Sequence, residues 1–323
     1  MTRAAASTPA RATPTGHARP RSGPLPWPLG DVLALPYAAA VTLRNRRFDS
    51  GQGVTRLELP VVSVGNLSVG GTGKTPVVRE VVRWLGEAGV RAVVAMRGYR
   101  GSAGTSDEAE EYRAAFSAGA SGLVRGAPML AVNPDRVAGV AAARLRAEAE
   151  GPPLGAVVLD DGFQHRRVHR DLDIVLIDAT RSPFPDARGR LGPEARLLPS
   201  GWLREPVSSL RRAHAAVLTR CEEAAPAALD ALEQRTRAAL PAGAIVARAT
   251  HAWRGLRVGN ERDVQPVELL AGLKAVAVCA IGNPGPFLAA AERAIGAPLA
   301  GAIVLRDHDH YKPAVLARII DGA

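Results

Sequence analysis

The sequence predicts an α/β protein: a three-layer core, with a parallel sheet covered by helices on both faces, followed by a smaller α/β lobe. Three observations predict it. At 323 residues the chain is long enough for about two domains. From Leu59 onward, strand-like runs alternate with segments of helical apolar spacing. Between the first such pair lies a glycine-rich turn, in the context where a strand hands over to a helix.

Taken in order, residues 1–24 are rich in Ala, Thr, Pro, Gly and Arg without an apolar period, and read as a disordered basic tail. Residues 25–48 carry Trp27, Leu29, Val32, Leu33, Leu35, Tyr37 and Val41, then Arg44, Arg46 and Arg47. An apolar segment ending in a basic cluster fits a helix lying in a membrane interface, but spacing alone favours an ordinary helix packed on the core. Residues 59–64 form a β-branched strand, and Val77, Val78, Val81, Val82 and Leu85 mark a helix over 75–88. A second strand covers 91–96, and Asn133-Pro134 is expected to cap a helix running to about Glu150. Short buried strands follow at 156–159, 174–177 and 215–218, then a helix to about Leu240. The stretch 183–206 is a Pro, Gly and Arg-rich loop too long to be a mere connection. The core is taken as 49–243 and the smaller lobe as 244–323, with strands near 275–280 and 302–305.

Composition removes several classes. With 47% hydrophobic and 22% charged residues, the chain as a whole is globular. Two cysteines cannot staple a secreted scaffold, which points to a reducing cytoplasm. No apolar run reaches the roughly 20 residues that span a bilayer. The net charge is +10, and residues 1–47 supply +6 of it, seven arginines against Asp31. With aromatics at 4%, no stacking platform for nucleic acid is evident. Lysine occurs only at 74, 274 and 312, so a retained lysine suggests chemistry that arginine cannot imitate.

The strongest signal is the segment Val64-Gly65-Asn66-Leu67-Ser68-Val69-Gly70-Gly71-Thr72-Gly73-Lys74-Thr75. Gly70, Gly71 and Gly73 let backbone N–H groups converge on phosphate oxygens at a helix N-terminus. Lys74 is placed to reach the β and γ phosphates and Thr75 to hold Mg²⁺, although Ser68 replaces the first glycine of the strict pattern. The magnesium-side carboxylate comes either from Asp160-Asp161 or from Asp178; paired carboxylates at a strand tip need a cation, which favours the pair. His165 and His169 among arginines read as hydrogen-bonded surface residues. Arg97-Gly98-Tyr99 leaves a strand at the substrate edge of the sheet, as either a substrate contact or a simple turn. Asp307-His308-Asp309-His310-Tyr311 offers either metal ligands or an acid–base pair. Thr219-Arg220 stands where a nucleotide base is often gripped.

Together with Asn133-Pro134-Asp135-Arg136, Asp160-Asp161-Gly162-Phe163-Gln164-His165-Arg166, Arg170-Asp171-Leu172-Asp173, Leu203-Arg204-Glu205-Pro206 and Gly282-Asn283-Pro284, in this order, these motifs resemble the tetraacyldisaccharide 4′-kinase family, the lipid A kinases of Gram-negative bacteria. The resemblance runs from about Leu25 to the C-terminus. It implies transfer of the γ-phosphate of ATP to the 4′-hydroxyl of a tetraacylated glucosamine disaccharide 1-phosphate, at the cytoplasmic face of the inner membrane. It implies that Gly70, Gly71, Thr72, Gly73, Lys74, Thr75 and Arg204 hold the nucleotide, and that Thr75, Asp160, Asp161, Gln164 and Glu205 form the Mg²⁺ shell. The base of the family is the aspartate of a Gly-Asp-Glu motif supported by a histidine; the nearest matches are Ser106-Asp107-Glu108 and His308. The resemblance also turns residues 25–48 into a membrane-docking segment that contacts inner-membrane lipids. The family continues past Asp-His through a further strand with a Thr-Glu-Lys-Asp motif, so a shortened C-terminal lobe is expected. The competing readings are a nucleotide switch at a membrane and a weakened kinase.

Overall fold

Strand β2 (Ala92–Met96) shows how the sheet is covered. Its side chains alternate between faces. Val93 and Ala95 pack with Val140, Ala143 and Ala147 of α4 (Arg136–Glu150). Val94 and Met96 pack on the other side with Val78, Val81 and Val82 of α2 (Lys74–Glu87) and with Ala109 and Tyr112 of α3 (Asp107–Gly119). A third apolar cluster joins Val175 and Ile177 of β5 (Leu172–Asp178) and Leu218 of β6 (Ala215–Thr219) to Leu229 and Leu232 of α5 (Pro226–Ala239). The expected three layers are present.

The structure is a computed structural model that describes residues 23–26, 28–98, 107–119, 127–259, 263–281, 284–305 and 317. Among these, a seven-stranded parallel sheet runs β3 (Met129–Val132), β2, β4 (Ala156–Asp160), β1 (Val61–Asn66), β5, β6 and β7 (Ile245–Arg248). Every residue of β2 and of β4 is buried, as in sheets covered on both sides. β1 lies between β4 and β5, with Val64 opposite Asp160 and Asn66 opposite Leu176. The chain leaves β1 to one side and returns to the other, which opens a crevice at the C-terminal ends of these strands.

Four details depart from the sequence reading. The cap of α4 is Asp135, whose Oδ1 accepts from the N–H groups of Val137 and Ala138 at 3.0 and 3.2 Å. Asn133 is instead held to β2 through its N–H on Met96 O at 3.0 Å, and its side chain accepts from the Asp135 N–H, so the helix begins two residues late. α3 and β3 occupy a stretch in which no element was expected. β7 pairs with β6, so the first compact unit extends past the expected boundary at 243/244 to Thr250. The 183–206 loop is ordered in its second half by a short 3₁₀ turn, Pro193–Ala195, and by bridges from Leu197 and Ser68 to Leu203.

In the second unit the described residues begin at His251. There β8 (Val276–Cys279), α6 (Pro284–Ile295) and β9 (Gly301–Val304) form a parallel β-α-β pair, with Val276 opposite Gly301. At the other end of the chain α1 covers Leu29–Asp49 and belongs to the first unit.

Candidate active site

The phosphate loop spans Leu67 to Gly73, between β1 and α2. Gly73 sits at φ +81 immediately before Lys74, a left-handed turn that glycine adopts without strain, and no side chain caps the helix behind it. The first amides of α2 therefore have no side-chain acceptor and face the sheet edge. The loop is held from beneath by hydroxyl and amide groups. Asn66 Nδ2 donates to Thr72 Oγ1 at 2.8 Å, and Thr219 Oγ1, at the end of β6, donates to Thr72 O at 2.9 Å. Gly65 is required by packing: a Cβ there would stand 2.6 Å from the backbone N of Phe163. The motifs on β1 and after β4 thus fit against each other because one of them lacks a side chain.

Asp160 ends β4 and Asp161 begins the turn. Asp160 is buried, 7% exposed, and Tyr112 of α3 donates to its Oδ2 at 2.9 Å while Oδ1 has no hydrogen-bond partner. Thr75, the second residue of α2, directly follows Lys74. Burial pushes the Asp160 carboxyl up to about 6, against the opposing pull of Lys74 and of Tyr112. A buried carboxylate oxygen without a donor is the donor set a cation completes. Asp161 is held in the left-handed region at φ +52, which a residue with a Cβ adopts only when its surroundings enforce it. Burial raises its pKa, but Lys74 and Arg204 outweigh this and keep the carboxyl below the ordinary range. Lys74 Nζ lies 3.4 Å from Asp161 Oδ1, and one Arg204 guanidinium nitrogen donates to Oδ2 at 2.7 Å and to Oδ1 at 3.0 Å.

The structure brings together Lys74, Thr75, Asp160, Asp161, Gln164 and Arg204. Gln164 donates to Asn66 O at 2.8 Å and accepts from Arg204 at 3.3 Å, so it bridges β1 and the arginine. Glu205 is not brought to that group. It is fully buried on the other side of the chain, where Arg44 donates to Oε1 at 3.0 Å, and Asn45 and Arg212 both reach Oε2 at 2.9 Å. Its two oxygens are here paired with Arg44, Asn45 and Arg212, apart from the group around Asp161.

Asp178 ends β5: Oδ1 accepts from the Thr180 N–H and hydroxyl at 3.0 and 2.6 Å, and Oδ2 pairs with Arg220. Burial and the neighbouring arginines 136, 167 and 170 push His165 down to about 4, leaving it neutral. His169 is a surface residue against Arg56. Arg97 directly follows β2 at the sheet edge, whereas Tyr99 lies outside the described residues. Asp107 is the first residue of α3, its side chain outside the description, and residues 306–316 with His308 also lie outside it. Two functional neighbours were not singled out from the sequence. Tyr112 lies on the unexpected helix, and Arg136, 4% exposed, donates to the carbonyls of Asn133 and Asp160 at 3.3 and 3.4 Å. For Arg136 the Asn-Pro-Asp-Arg motif was the available signal.

Nucleoside triphosphate is the ligand class this edge suits, and the fold and loop together define a P-loop phosphotransferase, an ATP-dependent kinase. Comparison with known proteins narrows the class. Residues 27–323 match the family described as Tetraacyldisaccharide-1-P 4′-kinase. The tetraacyldisaccharide 4′-kinase of Geobacter metallireducens is 39% identical over 302 residues, covering 90% of this chain and 81% of that protein. The tetraacyldisaccharide 4′-kinase of Anaeromyxobacter dehalogenans strain 2CP-C is 36% identical over 94% of this chain and 79% of its own length. Among solved structures, LpxK from Aquifex aeolicus in complex with ATP is similar with a TM-score of 0.60 and 27% identity, over 87% of this chain and 82% of that one. The chain belongs to the tetraacyldisaccharide-1-P 4′-kinase family.

Proposed function

We propose that this protein transfers the γ-phosphoryl group of ATP to the 4′-hydroxyl of a tetraacylated glucosamine disaccharide 1-phosphate, working from the cytoplasmic face of an inner membrane. The observation that carries the reading is the turn of buried Asp160 and half-buried Asp161 set against Lys74 and the uncapped α2. Lys74, Arg204 and the amides of Gly71 to Lys74 bind and orient the phosphates and spread the negative charge that develops on them. Asp160 Oδ1, Asp161 and the Thr75 hydroxyl at the start of α2 would hold Mg²⁺, with Gln164 beside them. Among the described residues no cluster of three His, Cys, Asp or Glu side chains gathers, which suits magnesium held by one or two carboxylates together with phosphate oxygens. Bound there, the ion neutralises charge on the transferring group.

Asp107, helped by His308, takes the proton of the 4′-hydroxyl as that oxygen bonds the γ-phosphorus and the bridging oxygen leaves with ADP. The position of Asp107 at the head of α3 supports this role, since the same helix delivers Tyr112 to Asp160. Membrane docking is supported by α1, which exposes Leu29, Val32, Leu33, Leu35 and Leu43 and carries Arg46 and Arg47 in its last turn. No described helix is long and apolar enough to cross a bilayer.

The test is phosphoryl transfer from γ-labelled ATP to the disaccharide 1-phosphate in detergent micelles. Label in the lipid with wild type, and its loss in Lys74→Ala, Asp107→Asn and His308→Ala, is expected. Tight Mg-ATP binding with no transfer to that acceptor would overturn the reading in favour of a nucleotide switch.

A further inference from the structure

Arg204 and Glu205 are neighbours in sequence whose side chains leave in opposite directions. Arg204 reaches Asp161 and Gln164 at the phosphate site. Glu205 reaches Arg44 and Asn45 of α1. The backbone between them is gripped from two sides: the Arg204 N–H donates to Leu67 O in the phosphate loop at 2.7 Å, and the Arg204 carbonyl accepts from the Tyr37 hydroxyl at 2.8 Å. The segment before it is zipped to the same loop, with the Val69 N–H on Trp202 O at 2.8 Å and Ser68 bridged to Leu203.

The three α1 side chains involved, Tyr37, Arg44 and Asn45, are spaced by seven and eight residues and so share one face of the helix. That face is turned toward the protein, where Val41 and Asn45 are buried. Val32 and Leu43, eleven residues or about three turns apart, stand on another face, roughly 140° round from Tyr37 at about 100° per residue, and are exposed. The inward face carries Tyr37, Arg44 and Asn45 beside the buried Val41, while exposed apolar side chains stand outward together with Arg46 and Arg47. Tyr37, Arg44 and Asn45 all reach one dipeptide, Arg204-Glu205. Burial pushes the Tyr37 phenol above its ordinary value, so it stays protonated as a donor throughout the working pH range.

We infer that Tyr37 is a positioning residue for Arg204: α1, through the Tyr37 hydroxyl and the grip on Glu205, sets where the Arg204 guanidinium stands at the phosphate loop. The inference rests on Arg204 belonging to the nucleotide site. A single backbone hydrogen bond is removed by Tyr37→Phe with the ring left to fill its space, so the fold is retained and the arginine loosens.

The test is a double-mutant cycle on the full chain with Tyr37→Phe and Arg204→Ala, reading KM for Mg-ATP, KM for the lipid acceptor and kcat. Tyr37→Phe is expected to raise the ATP KM by about two- to tenfold, the range one hydrogen bond supports. The acceptor KM is expected to stay unchanged. In the Arg204→Ala background the same substitution is expected to add nothing, because the group it positions is gone. If Tyr37→Phe raises the ATP KM by the same factor with and without Arg204, the helix acts through general stability and the inference fails. If Arg204→Ala raises the ATP KM but Tyr37→Phe does not, the coupling alone is wrong. If Arg204→Ala itself leaves the ATP KM unchanged, the placing of Arg204 in the nucleotide site falls, and the inference with it.

Discussion

Arg204 bonds both oxygens of Asp161 through one nitrogen, at 2.7 and 3.0 Å, while Lys74 stands 3.4 Å from the same carboxylate. Without ligand, the cations that suit a phosphate are neutralised by the acid that suits a metal. Metal and nucleotide would therefore favour each other: an ion held by Asp161 would free the cations.

Asp161→Asn tests this. Metal-free ATP is expected to bind the variant about three- to tenfold more tightly, a range discounted for the partial exposure of the pair. Phosphoryl transfer is expected to vanish. Titration calorimetry in the presence of a chelator measures the first effect, and unchanged or weaker affinity would contradict it.

Asp160 yields a pH dependence of fixed sign. Its carboxyl titrates at about 6 in the fold, above its ordinary value, so the folded protein holds the proton more tightly than the unfolded chain. Stability of the metal-free protein falls as pH rises from about 4 to about 6 and stays lower above that. Asp160→Asn is expected to raise the melting temperature at pH 8, by up to about 3 kcal/mol in stability, and to add nothing near pH 4. In the wild type the apparent Mg²⁺ affinity is expected to drop about tenfold per pH unit below 6, since the metal takes the ionised carboxylate. Thermal melts with and without Mg²⁺ across this range decide both.

Glu205 separates a structural acid from a metal ligand. Removing it leaves Arg212, which also lies 3.9 Å over the Phe163 ring, without its carboxylate in a buried setting. Glu205→Ala is expected to cost about 3–5 kcal/mol of stability. Where Glu205→Gln still folds, the magnesium dependence of its residual activity is expected to match wild type. A shift of the Mg²⁺ midpoint would place Glu205 in the shell.

Thr219→Val removes the hydroxyl that ties β6 to the phosphate loop at Thr72 O. The buried carbonyl is left unpaired, at about 1–3 kcal/mol. A raised ATP KM with an unchanged acceptor KM is expected, measured by steady-state kinetics at saturating lipid.

The core strands and the phosphate loop were legible in the chain because both are local. A β-branched run such as 61–64, or glycines spaced before Lys74, carries its meaning within a few residues. Asp160 and Asp161 were legible for a similar reason, two adjacent acids at the end of an apolar strand. α3 was not expected, although Asp107, Glu108 and Glu110 crowd its first turn and Ala109, Tyr112 and Phe116 recur at helical spacing. The Asn133-Pro134 pair looked like a cap, but its polar groups were already engaged with β2 and Asp135.

What local pattern could not reach is the partner of each charge. Gln164, Arg204 and Glu205 are close in sequence to motifs of one kind, yet only the packing of α1 against the 196–206 segment turns Glu205 toward Arg44 and Asn45 and leaves Arg204 facing Asp161. Likewise the inward placing of Tyr37, Arg44 and Asn45 on α1 is decided by partners far along the chain. Strand propensity, turn chemistry and phosphate-loop spacing are properties of short segments and survive in the sequence. Burial, desolvation and ion pairing depend on residues more than a hundred positions apart, as for Arg44 and Glu205, and exist only once the chain has folded.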